Sequence, residues 1–235
     1  MSAAAPSSRR RRAPRRAAPV ERSVSIPELE RRVLRLYRDA PLAARAYLRI
    51  RIANYPRLMW DHLAGLQGTF LSLGAGYAIL EAMAALRNPA ARIIGSDRNA
   101  ARIAVARNAL RDIPNLSLQV LDLRADFPSG RADGFLLLDV LHHLRPDVQE
   151  AVLQNAARAL PANGRIVIKE CGTRPAWKKW VNYLNDAIGT PFERTDPRGE
   201  EDWAALLQRL GLKTKTARLD AGSPYAHILV VGRKT

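Results

Sequence analysis

The chain has a single cysteine, Cys171, in 235 residues, so no intrachain disulfide can form, and no Cys/His cluster has zinc-ligand spacing. A reducing compartment, the cytoplasm, is the expected setting. No apolar run reaches the roughly 18 residues of a membrane span. The arginine pairs near the start have no hydrophobic region after them, which argues against a secretory or twin-arginine signal. The dinucleotide fingerprint G-x-G-x-x-G is also incomplete: counted from Gly74 it needs a glycine at 79, where Ile79 stands. Acids are scarce at the start, where residues 1–22 hold seven arginines against Glu21 alone.

Basic residues are abundant. Lys+Arg number 38 against 22 Asp+Glu, a formal charge of +16, and only six of the basic residues are lysines. Residues 1–24 carry almost no large apolar side chains and are expected to form a disordered tail able to contact polyanions. The same Arg-, Ser- and Ala-rich start also fits an organelle transit peptide. Arginine and alanine richness along the chain equally fits a codon bias. At 47% hydrophobic residues the remainder can bury one core.

Ser25-Ile26-Pro27-Glu28 reads as a capping box that opens a helix. A second helical stretch runs from Pro41 to about Leu66 with a break at Pro56, so residues 25–67 are expected to cap the domain of residues 68–235. From Thr69 strands and helices alternate: strand Thr69–Leu73, helix Ala78–Leu86, strand Arg92–Ser96, helix Asn99–Leu110, strand Leu116–Leu121, strand Gly134–Asp139, helix Asp147–Leu160, strand Arg165–Lys169. Helices Ala176–Ile188 and Glu200–Leu210 precede two strands, Lys213–Leu219 and Tyr225–Val231, whose short connection permits only antiparallel pairing. The predicted class is α/β: a mostly parallel sheet with helices on both faces and a C-terminal antiparallel hairpin.

In such a sheet the ligand sits beyond the carboxyl ends of the strands. Those ends read Gly74-Ala75-Gly76, Asp97, Asp122, Asp139 with His142 and His143, and Lys169-Glu170. Asp97, 23 residues after Gly74, suits the hydroxyls of a cofactor ribose, or else the N-cap of the helix behind it. Asp122 suits an amino group of a base, or is a loop aspartate. A histidine titrating near neutrality suits a general base, and His143 is favoured over His142; packing and turn capping are their other readings. Lys169 and Glu170 pair with each other or with neighbours, and Cys171 is expected as a buried small hydrophobe. Trp177, Trp180, Val181, Leu184 and Ile188 line one helical face, either packed on the sheet or forming a lid over an acceptor.

The succession LSLGAGY, IIGSDRNAARIAVARNAL, LQVLDL, DGFLLLDVLHHL and GRIVIKE resembles the class I S-adenosylmethionine-dependent methyltransferases, in particular their small-molecule and lipid branch, over about residues 69–170. The resemblance implies a Rossmann-like three-layer sandwich around a seven-stranded sheet whose last strand is antiparallel and inserted. It implies S-adenosyl-L-methionine as cofactor, with Ser72, Gly74, Ala75 and Gly76 toward the methionine part, Asp97 and Arg98 at the ribose, Asp122 and Leu123 at the adenine, and Asp139 as a further cofactor-binding residue. No metal is implied. The family's first motif, Asp-x-Gly-x-Gly-x-Gly, is altered here: Ser72 replaces the acid and Ala78 the last glycine.

Methyl transfer to a small-molecule or lipid-like acceptor, at oxygen or carbon, is therefore the expected function. An RNA methyltransferase would use the basic tail as a phosphate anchor, but Asp139-Val140-Leu141-His142 stands where base-modifying relatives carry Asn-Pro-Pro-Tyr or Asp-Pro-Pro-Tyr. A third reading is a non-catalytic binding protein with a degenerate first motif, and a Rossmann dehydrogenase is disfavoured by Ile79 and the terminal hairpin. Oligomeric state is not legible.

Overall fold

A computed structural model of the chain describes residues 24–178, 195–221 and 223–235. Residues 1–23 of the expected tail lie outside the described residues, as do Gly222 and residues 179–194, which include Trp180, Val181, Leu184 and Ile188.

Helix α1 (Ile26–Leu36) starts after Ser25 with Pro27 in its first turn. The capping box is not made. Ser25 gives no side-chain cap, and the amides of Glu28 and Leu29 are met instead by its carbonyl. Helix α2 (Leu42–Asn54) ends before Pro56, whose ring lacks an amide and stops the helical ladder, and a short α3 (Met59–His62) follows.

The sheet contains β1 (Gly68–Leu73), β2 (Ala91–Asp97), β3 (Leu116–Val120), β4 (Gly134–Leu138), β5 (Arg165–Cys171), β6 (Leu212–Arg218) and β7 (His227–Lys234) in the order β3-β2-β1-β4-β5-β7-β6. The first five pair in parallel, while β7 is inserted between β5 and β6 and runs against both. The expected seven-stranded mixed sheet is thus present. Strand alternation builds two cores, one on each face. Phe70, Leu136, Leu138, Val167 and Leu229 face one side, and Leu71, Leu73, Phe135, Leu137, Ile166, Ile168 and Val230 the other.

Over the first face lie α4 (Ile79–Arg87) and α5 (Ala100–Ala109), with α1 packed outside α4 through Leu29, Val33 and Tyr37. Over the second lie α6 (Pro146–Ala159) and α7 (Glu200–Arg209), with Leu153, Trp203 and Leu207 buried beneath them. The strand order reverses between β1 and β4, so the crevice at their carboxyl ends is where this topology opens a site.

Candidate active site

The turn after β1 is shaped by two left-handed glycines. Gly74 has φ +77°, and a Cβ there would stand 2.1 Å from Cγ2 of Val140, so only glycine lets this turn touch the end of β4. Gly76 has φ +56° with open space beside it. Ala78, at the place of the family's last glycine, keeps the left-handed conformation with φ 53° and precedes α4.

The Gly74 and Ala75 amides both donate to the Ser96 carbonyl at 2.8 Å. The Gly76 amide donates to Oδ2 of Asp97 at 2.8 Å, and Oδ1 of Asp97 accepts from the Asn99 amide at 2.8 Å. Asp97 is therefore not the cap of α5. Asn99 is, its side chain accepting from the Arg102 amide. That frees Asp97 to hold the glycine turn against the end of β2.

A cavity of about 410 Å³ opens above these groups. Gly74, Ala75, Gly76, Asp97, Arg98, Asp122, Leu123, Asp139, His142 and His143 all line it. Ser72 does not. It is fully buried, and its hydroxyl donates to Oε1 of Glu81 at 2.7 Å. Glu81 is itself a wall of the cavity, and burial pushes its carboxyl up to about 7 against the opposing pull of Ser72 and Arg51. A buried acid from α4 thus stands beside Ser72. The sequence held one signal for it: Glu81 is the lone acid in ILEAMAALR, a helix buried at seven successive positions. Asp122 is paired with Arg124, whose Nε lies 2.9 Å from Oδ1, and this hydrogen bonding lowers its pKa to about 2.

The part of the lining beyond β4 is built on buried ion pairs. Asp139 sits just past β4 at φ 59°, and both its oxygens lie 2.6 Å from Nζ of Lys169, with Arg51 at 2.5 Å. Burial alone would push this carboxyl up, but Lys169 and then Arg51 outweigh it and hold it well below the usual range. Lys169 and Glu170 therefore do not pair with each other. Glu170 accepts the amides of Val140 and Leu141 on one oxygen, at 3.0 and 2.7 Å, and takes Nδ1 of His142 on the other.

The His142 and His143 rings lie 4.1 Å apart. Burial, reinforced by His142, lowers His143 to about 3, so His143 is not the near-neutral base expected of it. Cys171 is half-buried at the cavity wall rather than enclosed in the core.

Further lining residues escaped the sequence reading. Tyr47, Ile50, Arg51 and Asn54 lie at helical spacing on one side of α2, and Tyr225 and His227 stand at the start of β7. His227 directs Nε2 to the Asn54 carbonyl at 3.0 Å, and burial followed by Lys169 lowers it to about 3. Asp139, Cys171 and His227 offer ligand atoms within 4.8 Å of one another, but the two cations already on Asp139 oppose a divalent ion there. Beyond the cavity, Trp177 is 57% exposed and Lys178 binds Asp220 at 2.9 Å.

Residues 71–168 match the model of a family described as a methyltransferase domain. Over those residues the chain is similar to methyltransferase domains, in line with the resemblance read from the sequence. Its fold is similar to the structure of the pyocyanin biosynthetic protein PhzM, with a TM-score of 0.66 and 22% identity over 85% of this chain and 60% of that one. It is similar also to an O-methyltransferase family protein from Burkholderia thailandensis, with a TM-score of 0.62 and 16% identity over 76% of this chain and 56% of the other. Magnesium protoporphyrin IX methyltransferase from Synechocystis with bound SAH is similar over 92% of this chain and 90% of its own, with a TM-score of 0.57 and 17% identity. The chain thus spans 60% or less of the length of the first two structures. No curated protein matches it in sequence.

The residues present here fit S-adenosylmethionine, the cofactor of such domains. The open side of Gly76, the carboxylates of Asp97 and Asp122 and the buried acid of Glu81 share one cavity. Among the described residues no helix is long and apolar enough to cross a membrane.

Proposed function

We propose that the chain transfers a methyl group from S-adenosylmethionine to a small-molecule or lipid-like acceptor, with oxygen favoured over carbon. The observation that carries this reading is the meeting of two sets of groups in one cavity. The glycine turn with Asp97, Asp122 and Glu81 lines it together with a histidine held by a buried carboxylate.

In this reading Gly74, Ala75 and Gly76 lie along the methionine part, Glu81 faces its ammonium, Asp97 with Arg98 takes the ribose, and Asp122 with Leu123 takes the adenine. Asp139 acts through its ion pairs, which anchor Arg51 of α2 over the cavity. The chemistry supplied by the bound cofactor is a methyl group on a sulfonium, open to in-line displacement. The chain's own residues align the acceptor and remove its proton.

His142 suits proton removal better than His143. A carboxylate accepts only, so Nδ1 of His142 donates to Glu170, the neutral ring keeps its lone pair on Nε2, and Glu170 stabilises the imidazolium formed when that nitrogen takes a proton. The arginines of residues 1–24 would add a polyanion contact outside the site, and the single cysteine fits a cytoplasmic setting.

The test is to incubate the full chain with labelled cofactor and fractionated cell extract. Label should enter the organic-soluble fraction. Label confined to RNA would replace this reading with that of an RNA methyltransferase, and failure of S-adenosylmethionine to bind at millimolar concentration would remove the enzyme altogether.

A further inference from the structure

Helix α2 is apolar on two opposite sides. Ala44, Leu48 and Ile52 are buried in the core. The side turned outward carries Leu42, Ala43, Ala46, Ile50 and Ala53 with one charge, Arg49, all exposed and all within about 120° of arc at 100° per residue. Leu42 is 74% exposed and Ile50 51%. A surface helix ordinarily turns a polar side to water, so this face is built to meet something other than water. The helix has no acid, carries Arg45 and Arg49 besides the Arg51 held by Asp139, and follows α1, whose Arg31, Arg32 and Arg35 are exposed.

We propose that the outward face of α2 docks on the surface of an anionic lipid bilayer, with Leu42 and Ile50 entering the acyl boundary and the arginines lying among the phosphates. A second copy of the chain fits worse, because a two-fold contact through α2 would bring arginines together with no acid on either helix. A nucleic acid fits worse as well: leucine, isoleucine and alanine offer bases neither stacking nor hydrogen bonds. The face is also continuous with the site, since Ile50 lines the cavity. An acceptor held in the leaflet that faces the protein would then meet the cavity mouth without crossing water. This last step rests on the methyl-transfer reading, whereas the docking itself does not.

The test uses the full chain in flotation with vesicles of phosphatidylcholine alone and of phosphatidylcholine mixed with phosphatidylglycerol. The protein should float with the anionic vesicles only. Leu42→Glu should lower its partitioning by about tenfold or more through loss of one buried aliphatic side chain and gain of a repelled charge. Leu42 is exposed, so this variant should melt with the wild type. Leu42→Trp should emit at shorter wavelength on binding and be quenched by brominated acyl chains.

Wild-type flotation of Leu42→Glu would overturn the proposal, because another surface would then hold the vesicle. So would an unquenched tryptophan, or a dimer that Leu42→Glu dissociates, or binding to RNA with no binding to vesicles. Calorimetry with S-adenosylmethionine on the same proteins keeps failure of the methyltransferase reading distinct from failure of docking.

Discussion

Replacing Glu81 by glutamine should remove a pH dependence of cofactor affinity and, in the empty protein, a penalty on stability. The carboxyl rises from an ordinary 4.5 to about 7 because it is buried, a change equivalent to about 3 kcal/mol. A raised carboxyl lets the folded chain hold a proton that the unfolded chain has lost, so stability is full below pH 4.5 and declines as pH rises from there through 7. An ammonium brought against Glu81 returns the carboxyl toward its ordinary range, so binding expels that proton. Affinity should then rise about eightfold between about pH 6 and pH 7.5 and level off above, from simple proton linkage on one group.

Glutamine is nearly isosteric and can still accept from Ser72. The Glu81→Gln protein should bind S-adenosylmethionine more weakly above pH 7 and show no such rise, while its melting temperature should gain on the wild type as pH increases from 5 to 8. The measurements are calorimetric titration across that range and thermal melts of both proteins without ligand. The cofactor's own amino group titrates alike in both and cancels in the comparison. Parallel affinity profiles for the two proteins would refute the reasoning, because Glu81 would then be a buried acid with no part in holding the cofactor.

Asp97→Ala should remove both the clasp on Gly76 and the ribose partner, with cofactor affinity falling by about 30-fold or more for the loss of charge-assisted hydrogen bonds, read by calorimetry, and with methyl incorporation lost whichever acceptor is correct. Glu170→Gln should lower kcat by about 100-fold if His142 is the base and should move the acidic limb of the pH–rate profile, with cofactor affinity little changed; an unchanged profile would leave Glu170 as a clamp on the Val140 and Leu141 amides. Lys169→Met leaves Asp139 buried with Arg51 alone and should destabilise the fold by about 3–5 kcal/mol, read from the denaturant midpoint.

The fold was legible where structure follows from local pattern. The alternation of apolar runs with helical segments located all seven strands, and the short connection before Tyr225 required an antiparallel pair. The expected capping box failed because the Ser25 carbonyl already met the Glu28 amide, leaving the hydroxyl no capping bond to make. Asp97 shows the limit of local reading, since the residues around it fitted a helix cap and a ligand group equally until Gly76 was seen to donate to it.

The sequence by itself determined the sheet, the glycine turn and the row of polar residues at the strand ends, because each depends on neighbours a few positions away and on the two-residue period of a strand. Only the tertiary structure decided which carboxylate meets Ser72, which histidine has a carboxylate behind it, and that Arg51 reaches Asp139 across 88 residues of chain. Those pairings are set by burial and by charges that meet only when α2 and α4 close over the ends of β1, β4 and β5. A carboxyl or an imidazole acquires its proton affinity from such surroundings, not from its place in the chain.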